Sequence, residues 1–222
     1  MELRELLARR RMTRSFLDAP VDLDLLDQLC AEALRAPTAG NSAGVRMTTV
    51  AKTHVAQYLE RATDPHWRSS SPRFEGLRRA GAVVLVTSRP EDYFSRYGEV
   101  DKIGSGLSRP EAWGVPYWHT DAAMATMALL LLLEERGLGA TIWGNFRHDA
   151  RVLAWAGLRD EALFASVLVG VPDGNDRAST SLSRPVPPRA ARVRRLMSAT
   201  SPEGGSHDLT DVTRRELKTT RE

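Results

Sequence analysis

Four guanidinium groups, on Arg9, Arg10, Arg11 and Arg14, fall within the short stretch RRRMTRSF near the start of the chain. Guanidinium forks bind phosphate and carboxylate oxygens two at a time. The stretch therefore reads as a phosphate clamp, a nucleic-acid patch or a targeting signal. Three further stretches carry residue types suited to binding. APTAGNSAGVRMTTV sets small polar residues, with Pro37, Thr38 and Asn41, between a helix end and a strand. GLGATIWGNF runs from a helix end through a strand into a turn at Trp143, Gly144 and Asn145. LVGVPDG is followed by the arginine-bearing SRPVPPRAARV. Residues 91–118 interleave glycines and prolines with Tyr93, Phe94, Tyr97 and Trp113, and end on Tyr117 and Trp118. A long loop of this make-up is more often functional than decorative. Tyr93, Trp113, Tyr117 and Trp118 are candidates to stack on a planar substrate, with packing at the mouth of the following helix the alternative for the last two.

Several chemistries find no support. The five histidines are dispersed and lack metal-ligand spacing, and the sequence contains no G-x-S-x-G, Walker A or G-x-G-x-x-G motif. Cys30 is the only cysteine, so neither an intrachain disulfide nor a multi-cysteine metal cage can form. Its helical apolar neighbours mark it as a buried small hydrophobe. The 31 basic residues are nearly balanced by 28 acidic ones, for a net charge of +3, which weighs against a general attraction to polyanions. With 222 residues, 42% hydrophobic and 27% charged, the chain suits one soluble domain with a sizeable core. The N-terminus is charged throughout, without the apolar core of a signal peptide. The apolar run at 122–133 is too short for the roughly 20 residues of a bilayer span. A cytoplasmic protein is expected.

The elements that must position these residues follow from periodicity. Residues 1–11 and 20–37 read as helices, the second capped at Asp22 or Asp24 and stopped by Pro37. GVRMTTVAK is strand-like with Val45, Met47 and Val50 as candidate inward residues. HVAQYLERA returns to helix, and AGAVVLVTS is a strand covered on both faces. Residues 91–117 read as irregular. HTDAAMATMALLLLLEERGLG is a long helix, apolar nearly all round, hence buried in a domain centre or a subunit interface. A short strand at ATIWGNF, a helix at DARVLAWAGL and a last core strand at ALFASVLVGVP complete the domain. Helices separating the strands indicate an α+β class, with a mostly antiparallel central sheet flanked by helices. One domain is expected over residues 1–196, with 91–118 a lid-like insertion and 197–222 a disordered tail.

In this order the motifs resemble the FMN-dependent nitroreductase superfamily, over residues 1–190. The matching positions are Arg10, Arg11, Arg14 and Phe16; Ala36, Pro37, Thr38 and Asn41; Asp121; Gly137, Leu138, Gly139 and Gly144; Gly170 and Pro172; and Arg184. The resemblance implies a nitroreductase-like fold, with Arg10, Arg11, Arg14 and Arg184 around the FMN phosphate. It places Pro37, Thr38 and Asn41 at the flavin rim and ribityl chain. The turn at Trp143, Gly144 and Asn145 lies near flavin N5, and Arg73 or Arg78 is offered for the N1/O2 side. Met12 departs from the usual serine, Ala43 stands where a glutamine reaches the flavin edge, and Leu182 stands where lysine is frequent.

The implied activity is hydride transfer from NAD(P)H through flavin to a small planar or aromatic acceptor, by ping-pong in one pocket at a homodimer interface. No side-chain acid or base is required and no metal is expected. Two alternatives stay open: an FMN-dependent dehydrogenase or oxidase, or a flavin-binding protein without NAD(P)H turnover. A non-catalytic polyanion-binding module, built on the N-terminal and Arg189–Arg195 arginines, is a remote third.

Overall fold

The stretch AVVLVTS has no polar face to turn to water, and the fold covers it on both sides. The computed structural model describes residues 2–177 and 179–195. Helices α1 (Leu3–Arg9) and α2 (Leu23–Ala33) precede strand β1 (Val45–Ala51). Helices α3 (Lys52–Ala62), α4 (Pro65–Ser70) and α5 (Phe74–Leu77) lead to β2 (Ala82–Ser88). After α6 (Pro90–Tyr97) and the long α7 (Tyr117–Glu135) come β3 (Gly139–Trp143), α8 (Asp149–Ala156) and β4 (Ala162–Gly170). The strands form one antiparallel sheet in the order β1-β2-β4-β3.

Alternation along the strands splits the core into two layers. Val84, Val86, Val167 and Val169 face α2 and α7 with Val45 and Met47. Val83, Leu85, Leu168 and Val50 face α3 and α8. The three expected inward residues of β1 thus point to opposite layers. Asp22 caps α2 by accepting from the N–H groups of Asp24 and Leu25. Cys30 is buried on α2, and desolvation pushes its thiol up to about 12.

Helix α7 buries Asp121, Ala125, Leu129 and Leu133, while Met124 stays 42% exposed. No helix among the described residues is long and apolar enough to cross a membrane.

Residues 90–97 form a helix where the sequence reading has irregular chain. Pro90 sits in its first turn, and Tyr93 is buried on its inner face. Two short 3₁₀ turns, Ile103–Ser105 and Pro110–Ala112, occupy the rest of that segment. The chain forms two compact units, Met1–Ala178 and Ser179–Glu222. In the second, Arg184 ends the turn Thr180–Ser183 in extended backbone. The tail expected at 197–222 lies outside the described residues.

Candidate functional site

At Arg10 the backbone leaves α1, and the chain then runs beside β3, which it meets at a single isolated bridge. Met12 bridges Ala140 in parallel, and the Thr13 N–H donates to the Ala140 carbonyl at 2.9 Å. Farther on, Phe16 bridges Pro172 and the Leu17 N–H donates to Val171 at 2.8 Å. The arginines divide by role. Arg11 folds back onto the carbonyls of Ala8, Arg9 and Arg10, closing the end of α1. Arg9 pairs with Glu134 at 3.6 Å. Arg14 donates its Nη1 to the Met12 carbonyl, and its backbone N–H to Asp176. Arg10 differs: its Nη1 is buried and has no hydrogen-bond partner among the described residues. A buried cationic donor in that state is costly unless an anion completes it. The Met12 side chain packs against the core layer under α7, so at this position packing replaces the hydroxyl of serine.

Beyond β3 lies a cleft of about 860 Å³, walled by residues 62–67 and 143–148. Trp143 packs edge-on against Trp67, ring centroids 4.9 Å apart, and its buried Nε1–H has no partner. The Asn145 side chain is committed inward. It donates to the Tyr58 hydroxyl at 3.4 Å and accepts from Ser166 at 2.9 Å, which leaves only its backbone to face a ligand. Phe146 is 87% exposed in left-handed backbone, φ 42°, with its ring over Gly144. A Cβ on Gly144 would lie 2.6 Å from that ring. Asp64 faces His148 at 3.3 Å and Arg147 at 3.9 Å across the mouth.

Trp67, Asp64, Phe146 and His148 escape sequence reasoning. Asp64 and His148 stand 84 positions apart and meet only because α3 packs on α8. Phe146 carried a signal, since it directly follows the glycine turn. Neither Arg73 nor Arg78 lines the cleft, and Arg78 is paired with Glu75 at 2.6 Å. Among the described residues, no group of three or more His, Cys, Asp or Glu is placed to hold a metal.

The loop bearing Thr38, Asn41 and Ala43 is not part of that cleft wall. It precedes β1, three strand spacings from β3, or roughly 14 Å across the sheet. Pro37, Asn41 and Ala43 are exposed. The Thr38 hydroxyl accepts from the Ala43 N–H, closing the loop. Asn41 and Ala43 both adopt left-handed backbone, φ 56° and 50°. Such non-glycine residues cluster where a fold over-determines a binding loop. The aromatics expected to stack on substrate do not line the cleft either. Trp113 sits at the centre of Tyr93, Tyr97, Tyr117 and Trp118. Tyr93 is fully buried and donates its hydroxyl to Asp121 at 3.0 Å; burial and the Asp121 charge push that hydroxyl up, keeping it a donor.

The edge strand is fastened by carboxylates that follow β4. Asp173 accepts from the Asn175 N–H at 2.8 Å, the Ser15 hydroxyl at 2.7 Å and Arg79 at 3.0 Å. Those contacts, led by the Asn175 N–H, hold its carboxyl below the ordinary value of 3.8. In the pH range below 3.8 the unfolded chain then binds more protons than the folded one. The stabilisation is full above that range and disappears as pH falls through the lowered native value. Urea midpoints measured from pH 6 to pH 3 should fall less steeply for Asp173→Asn than for the wild type.

Comparison with known proteins follows the same geometry. A sequence profile described as the Nitroreductase family matches residues 7–171. Among curated proteins no sequence match is found. A nitroreductase family protein from Streptococcus pneumoniae superposes with a TM-score of 0.65 at 19% identity, over 88% of this chain and 100% of that one. A candidate NAD(P)H:FMN oxidoreductase of Staphylococcus epidermidis gives 0.63 at 14% identity, over 88% and 96%. A Desulfovibrio desulfuricans protein in complex with FMN gives 0.58 at 19% identity, over 91% and 99%. These likenesses speak to fold, an α+β sheet between helical layers, while the profile spans the arginine strand, the loop before β1 and the turn after β3. The chain belongs to the nitroreductase family.

Proposed function

We propose that the protein is an FMN-dependent oxidoreductase that takes hydride from NAD(P)H and passes it to a small planar or aromatic acceptor, one cleft serving both in turn. The observation that carries this reading is the buried, unpartnered Arg10 Nη1 on the strand that lies along β3. A phosphate dianion is the natural partner for that group. Arg14 would share the charge. Arg11 contributes by holding the end of α1. The backbone at Gly144 and Asn145 would present N–H groups to the ring system, with the Trp143 indole N–H as a further donor. Bound in this way, FMN supplies the centre that accepts and releases hydride. Trp67, Trp143 and Phe146 give the cleft apolar walls suited to a flat molecule.

Pro37, Thr38, Asn41 and Ala43 would complete the site from a second copy of the chain. Two observations support a homodimer. The loop stands away from the cleft of its own chain, and α1 and α7 leave Leu3, Leu7 and Met124 exposed at 57%, 51% and 42%. A groove of about 730 Å³ beside them is lined by Leu3, Leu6, Leu131 and Leu132.

The test is direct. Purified protein should be yellow or take up FMN on titration, sediment as a dimer, and lose flavin absorbance on anaerobic mixing with NADH or NADPH. Colourless protein that takes up no FMN overturns the assignment. Bound flavin that neither nicotinamide bleaches would instead favour a dehydrogenase or oxidase.

A further inference from the structure

We propose that the segment over residues 90–118 is a brace for the loop 38–44 and not a cover for substrate, with Asp121, Tyr93 and Arg96 as positioning residues. The idea rests on the proposed function, in which that loop meets FMN. Gly40, Asn41 and Ala43 all adopt left-handed backbone, φ 61°, 56° and 50°. Glycine takes that conformation freely, but Asn41 and Ala43 do not, and a loop that strains both persists only if its surroundings hold it.

The holding contacts come from α6 and α7. The Asp121 carboxylate, 1% exposed, accepts from the Ala39 N–H at 2.8 Å and the Tyr93 hydroxyl at 3.0 Å. Arg96 donates its Nε to the Gly40 carbonyl at 2.9 Å, and is itself fixed by Asp101 at 2.7 Å. Arg46 donates to the Ala43 carbonyl at 3.0 Å and pairs with Asp92 on α6 at 2.7 Å. The Tyr93 ring fills the space beside Gly44, where a Cβ would approach it to 2.4 Å. A backbone group within or next to each left-handed position is therefore tied to α6, α7 or β1.

Trp113, Tyr97 and Tyr93 are occupied in the same arrangement, while Tyr117 stays 45% exposed. Trp113 packs edge-on against Tyr97 at 4.8 Å and Tyr93 at 6.2 Å, and its indole N–H donates to the Leu107 carbonyl at 2.8 Å. Rings packed in this way stiffen the far end of the brace and are not free to stack on a ligand. Asp121 and Tyr93 lie behind the loop and act on the cofactor only through it.

Hydrogen exchange of the FMN-free protein and FMN titration together test this. Asp121→Ala should raise exchange selectively at residues 38–44 and weaken FMN binding about tenfold. Asp121→Asn keeps an oxygen for the Ala39 N–H and should recover most of both. Tyr93→Phe keeps the ring, leaves a well-folded protein, and should show the same local change at a few-fold. The brace is overturned if exchange at 38–44 stays unchanged in Tyr93→Phe while Asp121→Ala fails to fold. It is equally overturned if exchange rises uniformly across the sheet, or if Tyr93→Phe changes only the KM of the acceptor. Wild-type protein that binds no FMN would remove the proposed function, whereas the exchange pattern would still decide the brace.

Discussion

Arg10→Ala should lose FMN affinity by about a hundredfold without losing stability. A hydrogen bond to a charged group is worth about 1.5–3 kcal/mol, and each 1.4 kcal/mol is a factor of ten in Kd. Losing one strong charged contact, or two weak ones, therefore reaches two orders of magnitude. The folded protein gives up little in exchange, because the buried Nη1 has no partner among the described residues. The melting temperature of the FMN-free variant should match or exceed that of wild type. Arg10→Lys keeps the charge but not the planar fork, and should fall between the two. Arg9→Ala provides the contrast, since Arg9 pairs with Glu134 at 3.6 Å on the surface and should leave FMN affinity unchanged. Fluorescence titration of FMN, paired with thermal melts, reads both quantities. An Arg10→Ala variant that binds FMN like wild type would place the phosphate elsewhere.

The largest stability loss is expected at Phe16. Its ring is 0% exposed in the layer between the sheet and α3, and it lies against Gly170, where a Cβ would come within 2.9 Å of it. Truncating such a ring costs about 3–5 kcal/mol. For a domain of this size that lowers the melting temperature by roughly 6–20 °C. Phe16→Ala keeps the backbone bridge to Pro172 but removes the buried ring beside it, so the segment carrying Arg10 and Arg14 is held less firmly at its far end. FMN affinity should fall along with stability, although Phe16 is no part of the cleft wall. Phe16→Leu fills much of the space and should recover most of both. Denaturant melts and FMN titration check the pair; a Phe16→Ala variant as stable as wild type would contradict the packing described.

The elements that could be read from sequence are those whose local pattern and tertiary setting agree. β2 is apolar at nearly every position and is buried at every position. Asp22 caps α2, and the apolar α7 spans the sheet face. Helix α6 was obscured by the glycines that follow it, although Pro90 and the Tyr93–Tyr97 spacing carry a helical signal. At the site, Arg10 and the Trp143–Asn145 turn stand out by motif because their neighbours in sequence are also their neighbours in space. Directions of side chains do not follow from motif. Asn145 turns inward to Ser166, Arg11 curls onto α1, and Trp113 joins other rings. Arg11 meets carbonyls within three positions of itself, whereas Asn145 depends on Tyr58, 87 positions away, which no local pattern specifies. The pairing of Asp64 with His148 is of that kind.

The fastening of the first strand to the last also bears on the timing of synthesis. Arg14 and Ser15 leave the ribosome early, yet their partners Asp176 and Asp173 lie 162 and 158 positions later. At about 5–20 residues per second, that interval is on the order of ten seconds or more. For most of it the arginine segment has no Ala140 to bridge, and until its end no Pro172, so a nascent chain cannot seat it fully. The segment that carries Arg10 is therefore among the last parts of the first unit to be completed. Under the proposed function, translation would run almost to the end of that unit before FMN could be loaded, which would make loading a checkpoint on a finished fold.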